Sequence, residues 1–191
     1  MARNNKYTVP YRRKREGKTN YRRRINILQG QTLRLVIRKS LKNINIQIVE
    51  YSPLGDKVIA SANSKELLKK GWKADTSNLS AAYLTGFLLG TKAKKGTHAV
   101  VDIGSSPSIK GSILYAAVKG CIDAGVDIPC SESVFPANDR IEGKHVAEYA
   151  KLLSESKEKY NKQFSGYIKK GFAPEKFMEH YNEVKKKLGA Q

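Results

Sequence analysis

From Leu33 onward the chain alternates. In LRLVIRKS, Leu33, Leu35 and Ile37 fall on one face, and Arg34, Val36 and Arg38 on the other. In NINIQIVEY, Ile44, Ile46 and Ile48 oppose Asn45, Gln47 and Val49. A side-chain period of two is the signature of a strand with one buried face. A slip of one residue would turn every isoleucine to water, so the register is tightly specified. SPLGDK places Pro53 and Gly55 between apolar runs, which is turn chemistry. KVIASAN then reads as a third strand. Three strands joined by short connections predict an antiparallel meander.

Helical patterns follow. Residues 64–70 suggest a short helix. Residues 78–95, NLSAAYLTGFLLGTKAKK, are apolar nearly all round over the first three turns. That pattern predicts a buried core helix. Ser77 or Asn78 can cap its start, Lys92, Lys94 and Lys95 suit its C-terminal dipole, and Gly96 ends it. HAVVDIG reads as a fourth strand, with a helix near 111–125 after it. This order of elements brings the fourth strand into the same sheet through a crossover. A further helix is expected over about 139–153. In residues 154–191, Tyr160, Phe164 and Tyr167, and then Phe177, Tyr181, Val184 and Leu188, recur at helical spacing. They predict two amphipathic helices with Gly171 and Pro174 between them. The expected architecture is therefore α/β: an antiparallel three-strand meander plus a crossover strand, in a mixed sheet packed by helices. It divides into an arm over 1–30, a core domain over 31–153 and a C-terminal helical extension over 154–191.

Residues 1–30 show neither period and are highly polar, which predicts an extended arm. Within it, YRRKREGKTNYRRR (Tyr11–Arg24) holds eight Arg or Lys residues against Glu16 alone. No core can accept such a run, because each unpaired buried charge costs several kcal/mol. Residues 1–43 carry 14 basic and 1 acidic residue, whereas residues 44–153 carry 13 and 11. The formal net charge of +19 thus sits mainly at one end, and such asymmetry points to a polyanion. Arg dominates the run and forks onto phosphate. Tyr7, Tyr11 and Tyr21 are interleaved and can stack on unpaired bases. Gly17, Thr19 and Asn20 let the chain bend between the two clusters. The outer face of the first hairpin, with Arg34, Arg38, Asn45 and Gln47, and with Lys39, Lys42 and Asn43 at its turn, is expected to extend the same surface.

Other chemistries find less support. DIGSSPSIKGS occupies the place of a phosphate-binding loop, but Lys110 precedes Gly111 and neither GxxxxGK nor GxGxxG is present. His98, His145 and His180 lie far apart, in no ligand spacing. Two cysteines, Cys121 and Cys130, are too few for a disulfide framework and read as reduced thiols. No apolar run approaches the ~20 residues of a membrane span, and no apolar segment follows the N-terminal charge as in a secretory signal. Asp102, at the end of a strand, is the sharpest enzymatic hint. A metal-dependent nuclease would need companions, for which only Glu50 and Asp56 are available. The expectation is no enzyme, no metal and no cofactor.

RRKREGKTNYRRR, LRLVIRKSLKNINIQIVEY, GDKVIASANSKEL, NLSAAYLTGFLLG and FPANDRIEGKHVAEYAKLL follow one another in register. Together they resemble the universal large-subunit ribosomal protein eighteen family in its archaeal form, related to the eukaryotic large-subunit protein five. The resemblance runs from about residue 3 to residue 153, and residues 154–191 match less closely. It implies an α/β sandwich that binds 5S rRNA and helps attach it to 23S rRNA in the central protuberance of the large subunit. Neighbouring ribosomal proteins would be further partners, in the cytoplasm and away from any membrane. The rival reading is a generic RNA-binding chaperone or a metal-dependent nuclease. Carried over onto this sequence, the RNA contacts fall on Arg12, Arg13, Lys14, Arg15, Lys18, Tyr21, Arg22, Arg23, Arg24, Arg34, Arg38, Lys39 and Asn43. Many relatives have Asp where this chain has Asn20.

Overall fold

The computed structural model describes residues 8–189. Residues 1–7, with Tyr7 of the expected aromatic set, and residues 190–191 lie outside the described residues. In chain order the elements are α1 (Arg12–Arg15), α2 (Tyr21–Gln29), β1 (Leu33–Lys39), β2 (Ile44–Glu50), β3 (Lys57–Asn63), α3 (Glu66–Lys69), α4 (Leu79–Lys92), β4 (Ala99–Asp102) and α5 (Ile113–Asp123). Then come α6 (Asn138–Glu142), α7 (Lys144–Leu153), α8 (Lys157–Gln163), α9 (Ser165–Lys169) and α10 (Phe177–Gly189).

The four strands form one mixed sheet in the order β3-β2-β1-β4. The meander pairs antiparallel, and β4 pairs parallel to β1 with Val36 opposite Asp102. The crossover from β3 to β4 runs through α3 and α4, as a parallel pairing requires. Leu35, Ile37, Ile44, Ile46 and Ile48 are fully buried on the face toward the helices. Each contributes about 1.5–3 kcal/mol of apolar burial.

Helix α4 runs through the middle of the core. The Asn78 side chain caps it by accepting from the Ala81 amide at 2.7 Å. Helix α5 packs against it more closely than ordinary side chains allow. A Cβ on Gly86 would overlap the Ala117 carbonyl, and one on Gly120 would overlap the Tyr83 carbonyl. These glycines let two helix backbones touch beneath the sheet.

Three sequence expectations are corrected. Residues 1–30 are not an extended arm throughout, because α1 and α2 are helical. The Asn20 side chain accepts from the Arg23 amide at 3.2 Å and so starts α2, as short polar residues do at a helix N-cap. The helix expected over 139–153 is broken in two at Gly143, whose φ of +78° belongs to the left-handed region. The ring of Phe177 occupies the space a Cβ there would need. The Tyr160–Phe164–Tyr167 segment is likewise divided at Phe164 into α8 and α9, although its rings still meet at 5.2 and 6.0 Å.

The last helix is part of the core. Phe177, Tyr181, Val184 and Leu188 are at most 2% exposed, and α10 packs on α4, α6 and α7. Its apolar stripe is already covered by the chain itself.

Candidate nucleic-acid interface

The strand period aims Arg34, Val36 and Arg38 away from the core. That face is not uniformly open. Arg34 stands opposite Val49, and the two are 2% and 5% exposed. Asp56, in the β2–β3 turn, receives Arg34 Nη2 at 2.6 Å. Asp102, at the end of β4, lies 3.5 Å from Arg34 Nη1. A guanidinium buried this deeply persists because both of its Nη groups face carboxylates, with its buried Nε left without a hydrogen-bond partner. The expectation that Arg34 projects to a partner is thus corrected. Its position on the outer face was read properly from the period, but two carboxylates remote in sequence cover it.

The same contacts explain the nuclease hint. Asp56 and Asp102 do converge, but on an arginine. Glu50 stays apart, at the end of β2 and opposite Lys57 in the strand register. Among the described residues no group of three His, Cys, Asp or Glu side chains could hold a metal ion. The histidines are dispersed: His98 pairs with Asp127 at 2.8 Å, and His180 accepts from the Lys73 amide at 3.0 Å. Burial pushes the Cys121 thiol up to about 12, which makes it a poor nucleophile.

Helix α2 lies over the β1–β4 end of this face. Arg24 Nη2 reaches both oxygens of Asp56, at 3.1 and 3.3 Å. Arg23 Nη1 donates to the Gly104 carbonyl at 3.1 Å. Burial alone would raise the Asp56 carboxyl, but the hydrogen bonds and charges of Arg34 and Arg24 outweigh it and hold it below its ordinary value. Beside it, Arg38 donates from Nη1 to the Asp102 and Ile37 carbonyls at 2.7 and 2.9 Å, and from Nη2 to Asp102 Oδ1 at 3.0 Å. Gly104, at φ +64°, leaves room for that guanidinium where a Cβ would stand 3.0 Å from it, and donates its amide to Asp102 Oδ1 at 2.8 Å.

The rest of the arm folds over itself. Arg13 Nε donates to Thr19 Oγ1 at 2.9 Å. Glu16 is shared by Arg12 at 3.5 Å and Lys18 at 2.8 Å. The rings of Tyr11 and Tyr21 meet at 5.3 Å. Lys14, Arg15 and Arg22 are exposed, and among the described residues no carboxylate pairs with them. Together α2, the turn before it and the β1–β4 end of the sheet enclose a cleft of about 410 Å³, lined by Arg13, Lys18, Tyr21, Arg23, Arg24 and Arg38.

Of the thirteen residues the sequence singled out, Arg13, Lys18, Tyr21, Arg23, Arg24 and Arg38 line this cleft, Lys14 and Arg22 line a shallower one that shares Tyr21 with it, and Arg12 and Arg15 line neither. Lys39 is exposed at the end of β1. Asn43 sits instead within the hairpin turn. Its carbonyl accepts from Ser40, and its side-chain oxygen lies 3.4 Å from Thr76 Oγ1. Asn45 and Gln47 are half-buried. Sequence reasoning missed Asp56, Asp102 and Gly104 as parts of the same surface. The available signal was an arginine at an outward position of a strand flanked by turn and strand-end aspartates.

The surface so built is cationic, aromatic at one edge and fixed to a sheet. Such a combination suits a phosphate backbone with unpaired bases. Residues 5–98 match the family model described as ribosomal large subunit proteins 60S L5 and 50S L18. The chain belongs to this family. It is therefore a ribosomal protein of the large subunit, acting in translation and binding ribosomal RNA. The matched stretch spans the basic helices, the whole meander and α4. Asp102 and Gly104, which complete the cleft, lie beyond it in this ribosomal protein.

Proposed function

We propose that this ribosomal protein binds 5S rRNA and helps attach it to 23S rRNA in the central protuberance, beside neighbouring large-subunit proteins. The observation that carries the reading is the seating of the arm. Cations of α1, α2 and β1 form one continuous surface around a cleft, held by contacts to the sheet. A fixed array of guanidinium groups can select an RNA shape, whereas a loose tail only neutralises charge. A structural role is the reading favoured over a nuclease, because Asp56 and Asp102 are held by Arg34 and Arg38. The place of action is the cytoplasmic ribosome, as family membership implies. No described helix is long and apolar enough to cross a membrane.

The test is competition. Labelled 5S rRNA bound to the full chain is challenged with unlabelled 5S rRNA and with an unrelated RNA of equal length. Displacement by 5S rRNA alone is expected. Equal displacement by both would leave a generic RNA-binding chaperone, and magnesium-dependent cleavage of the RNA would reveal a nuclease.

A further inference from the structure

We infer that Asp56, a negative charge inside an RNA-binding face, is a positioning residue that seats the arm on the sheet and thereby sets selectivity for RNA. The inference rests on the 5S rRNA reading above.

Among the described residues, two side-chain contacts fasten α2 to the sheet side of the molecule. One is Arg23 to the Gly104 carbonyl, and the other is Arg24 to Asp56. The second is built differently from an ordinary surface ion pair, which contributes little because two free side chains must be ordered to make it. Asp56 is already fixed. Arg34, which is 2% exposed, grips its Oδ2 at 2.6 Å. Arg24 then meets a carboxylate ordered in advance and has only its own rotamers to lose. Without the carboxylate, the guanidinium groups of Arg24 and Arg34 would converge on one place with nothing between them. Asp102 repeats the arrangement for Arg38, whose guanidinium it holds through both its side chain and its carbonyl. Two of the cations facing the cleft, Arg24 and Arg38, are thus oriented by acids behind them.

This reverses the sign that bulk electrostatics would give. Asp56→Asn raises the net charge by one, and a surface that merely attracts phosphate would then bind every RNA more tightly. A seated surface instead loses its geometry. Selectivity falls while affinity for unrelated RNA holds or rises.

The experiment uses the full chain, the variants Asp56→Asn and Arg24→Gln, and two readouts. Arg24→Gln removes only the arm's end of the bridge and leaves the Arg34–Asp56 pair intact, so it keeps the fold if Asp56→Asn does not. Amide hydrogen exchange of α2 without RNA reads the seating directly. Both variants are expected to speed it about tenfold. The preference for 5S rRNA over an unrelated RNA of equal length is expected to fall about three- to thirtyfold. Unchanged exchange in α2 would overturn the inference, and so would an Asp56→Asn protein that binds both RNAs more tightly by the same factor. Should the unaltered protein show no preference for 5S rRNA, the functional reading fails. The exchange rates still decide whether Asp56 seats the arm.

Discussion

His180 accepts a hydrogen bond from the Lys73 amide across 3.0 Å of space and most of the length of the chain. Its ring also stacks on Trp72 at 5.2 Å and meets Phe172 at 4.9 Å. The contact ties α10 to the loop after α3, and it requires a neutral imidazole. Burial first, then the charges of Lys73 and Lys187, lower the affinity of the ring for its proton, against an opposing effect of Glu183. The folded value therefore lies below the ordinary 6.5. The stabilisation is fully present above pH 6.5 and is lost as pH falls below it. Thermal unfolding followed from pH 7.5 down to about 5.5 is expected to show a falling midpoint. In His180→Gln, whose amide oxygen can accept the same bond without titrating, the slope is expected to flatten.

Arg34 and Arg38 are neighbours on one face of β1 but are expected to fail in different ways. Arg34→Gln leaves Asp56 and Asp102 without their shared buried cation. The loss is expected to be about 3 kcal/mol, toward the low end for breaking a buried pair because the carboxylates keep some solvent. Equilibrium denaturation measures it. The Asp56 carboxyl is held below 3.8 by Arg34 and Arg24, so its share of stability is present above that pH and disappears as acid protonates it. Arg38→Gln, at a side chain 46% exposed, is expected to spare stability and reduce the preference for 5S rRNA. Equal stability losses in the two variants would contradict this division.

The α4–α5 contact offers a test of sign. At an exposed helical position Gly→Ala stabilises by up to about 1 kcal/mol. At Gly120 the added methyl meets the Tyr83 carbonyl, and overpacking of this kind destabilises by about 1–3 kcal/mol. Gly120→Ala is expected to lower the denaturation midpoint despite its better helix propensity.

Lys14, Arg15 and Arg22 are the arm cations with neither an ion pair nor a side-chain hydrogen bond among the described residues. Replacing all three with Gln is expected to reduce the slope of log K against log salt by about 2, at roughly 0.7 per phosphate contact on single-stranded RNA. Titrations at several salt concentrations supply the slope. An unchanged value would remove these residues from the RNA surface.

The fold was legible wherever one period dominated. The isoleucines of β2 and the buried stretch of α4 leave one reasonable assignment each, and the parallel strand followed from the order of elements. The arm was not legible, because the apolar residues of α2 are few and half-exposed, and its start depends on one Asn20 hydrogen bond. The break at Gly143 depends on Phe177, a residue far along the chain. Nor could the outward arginines be told apart. The period gives Arg34 and Arg38 the same face, and only Asp56 and Asp102, remote in sequence, decide that one is buried and the other open.

On the proposed function, α1, α2 and the open end of the β1–β4 face form one surface for 5S rRNA. Amide hydrogen exchange of the full chain, with and without saturating 5S rRNA, locates that surface on the protein itself. Slower exchange is expected across Tyr11–Gln29 and around Arg38 and Gly104, with α10 and the Lys73 loop unchanged. Protection confined to α10 and the Lys73 loop, with the arm unaffected, would place the RNA away from the arm and overturn the proposed site.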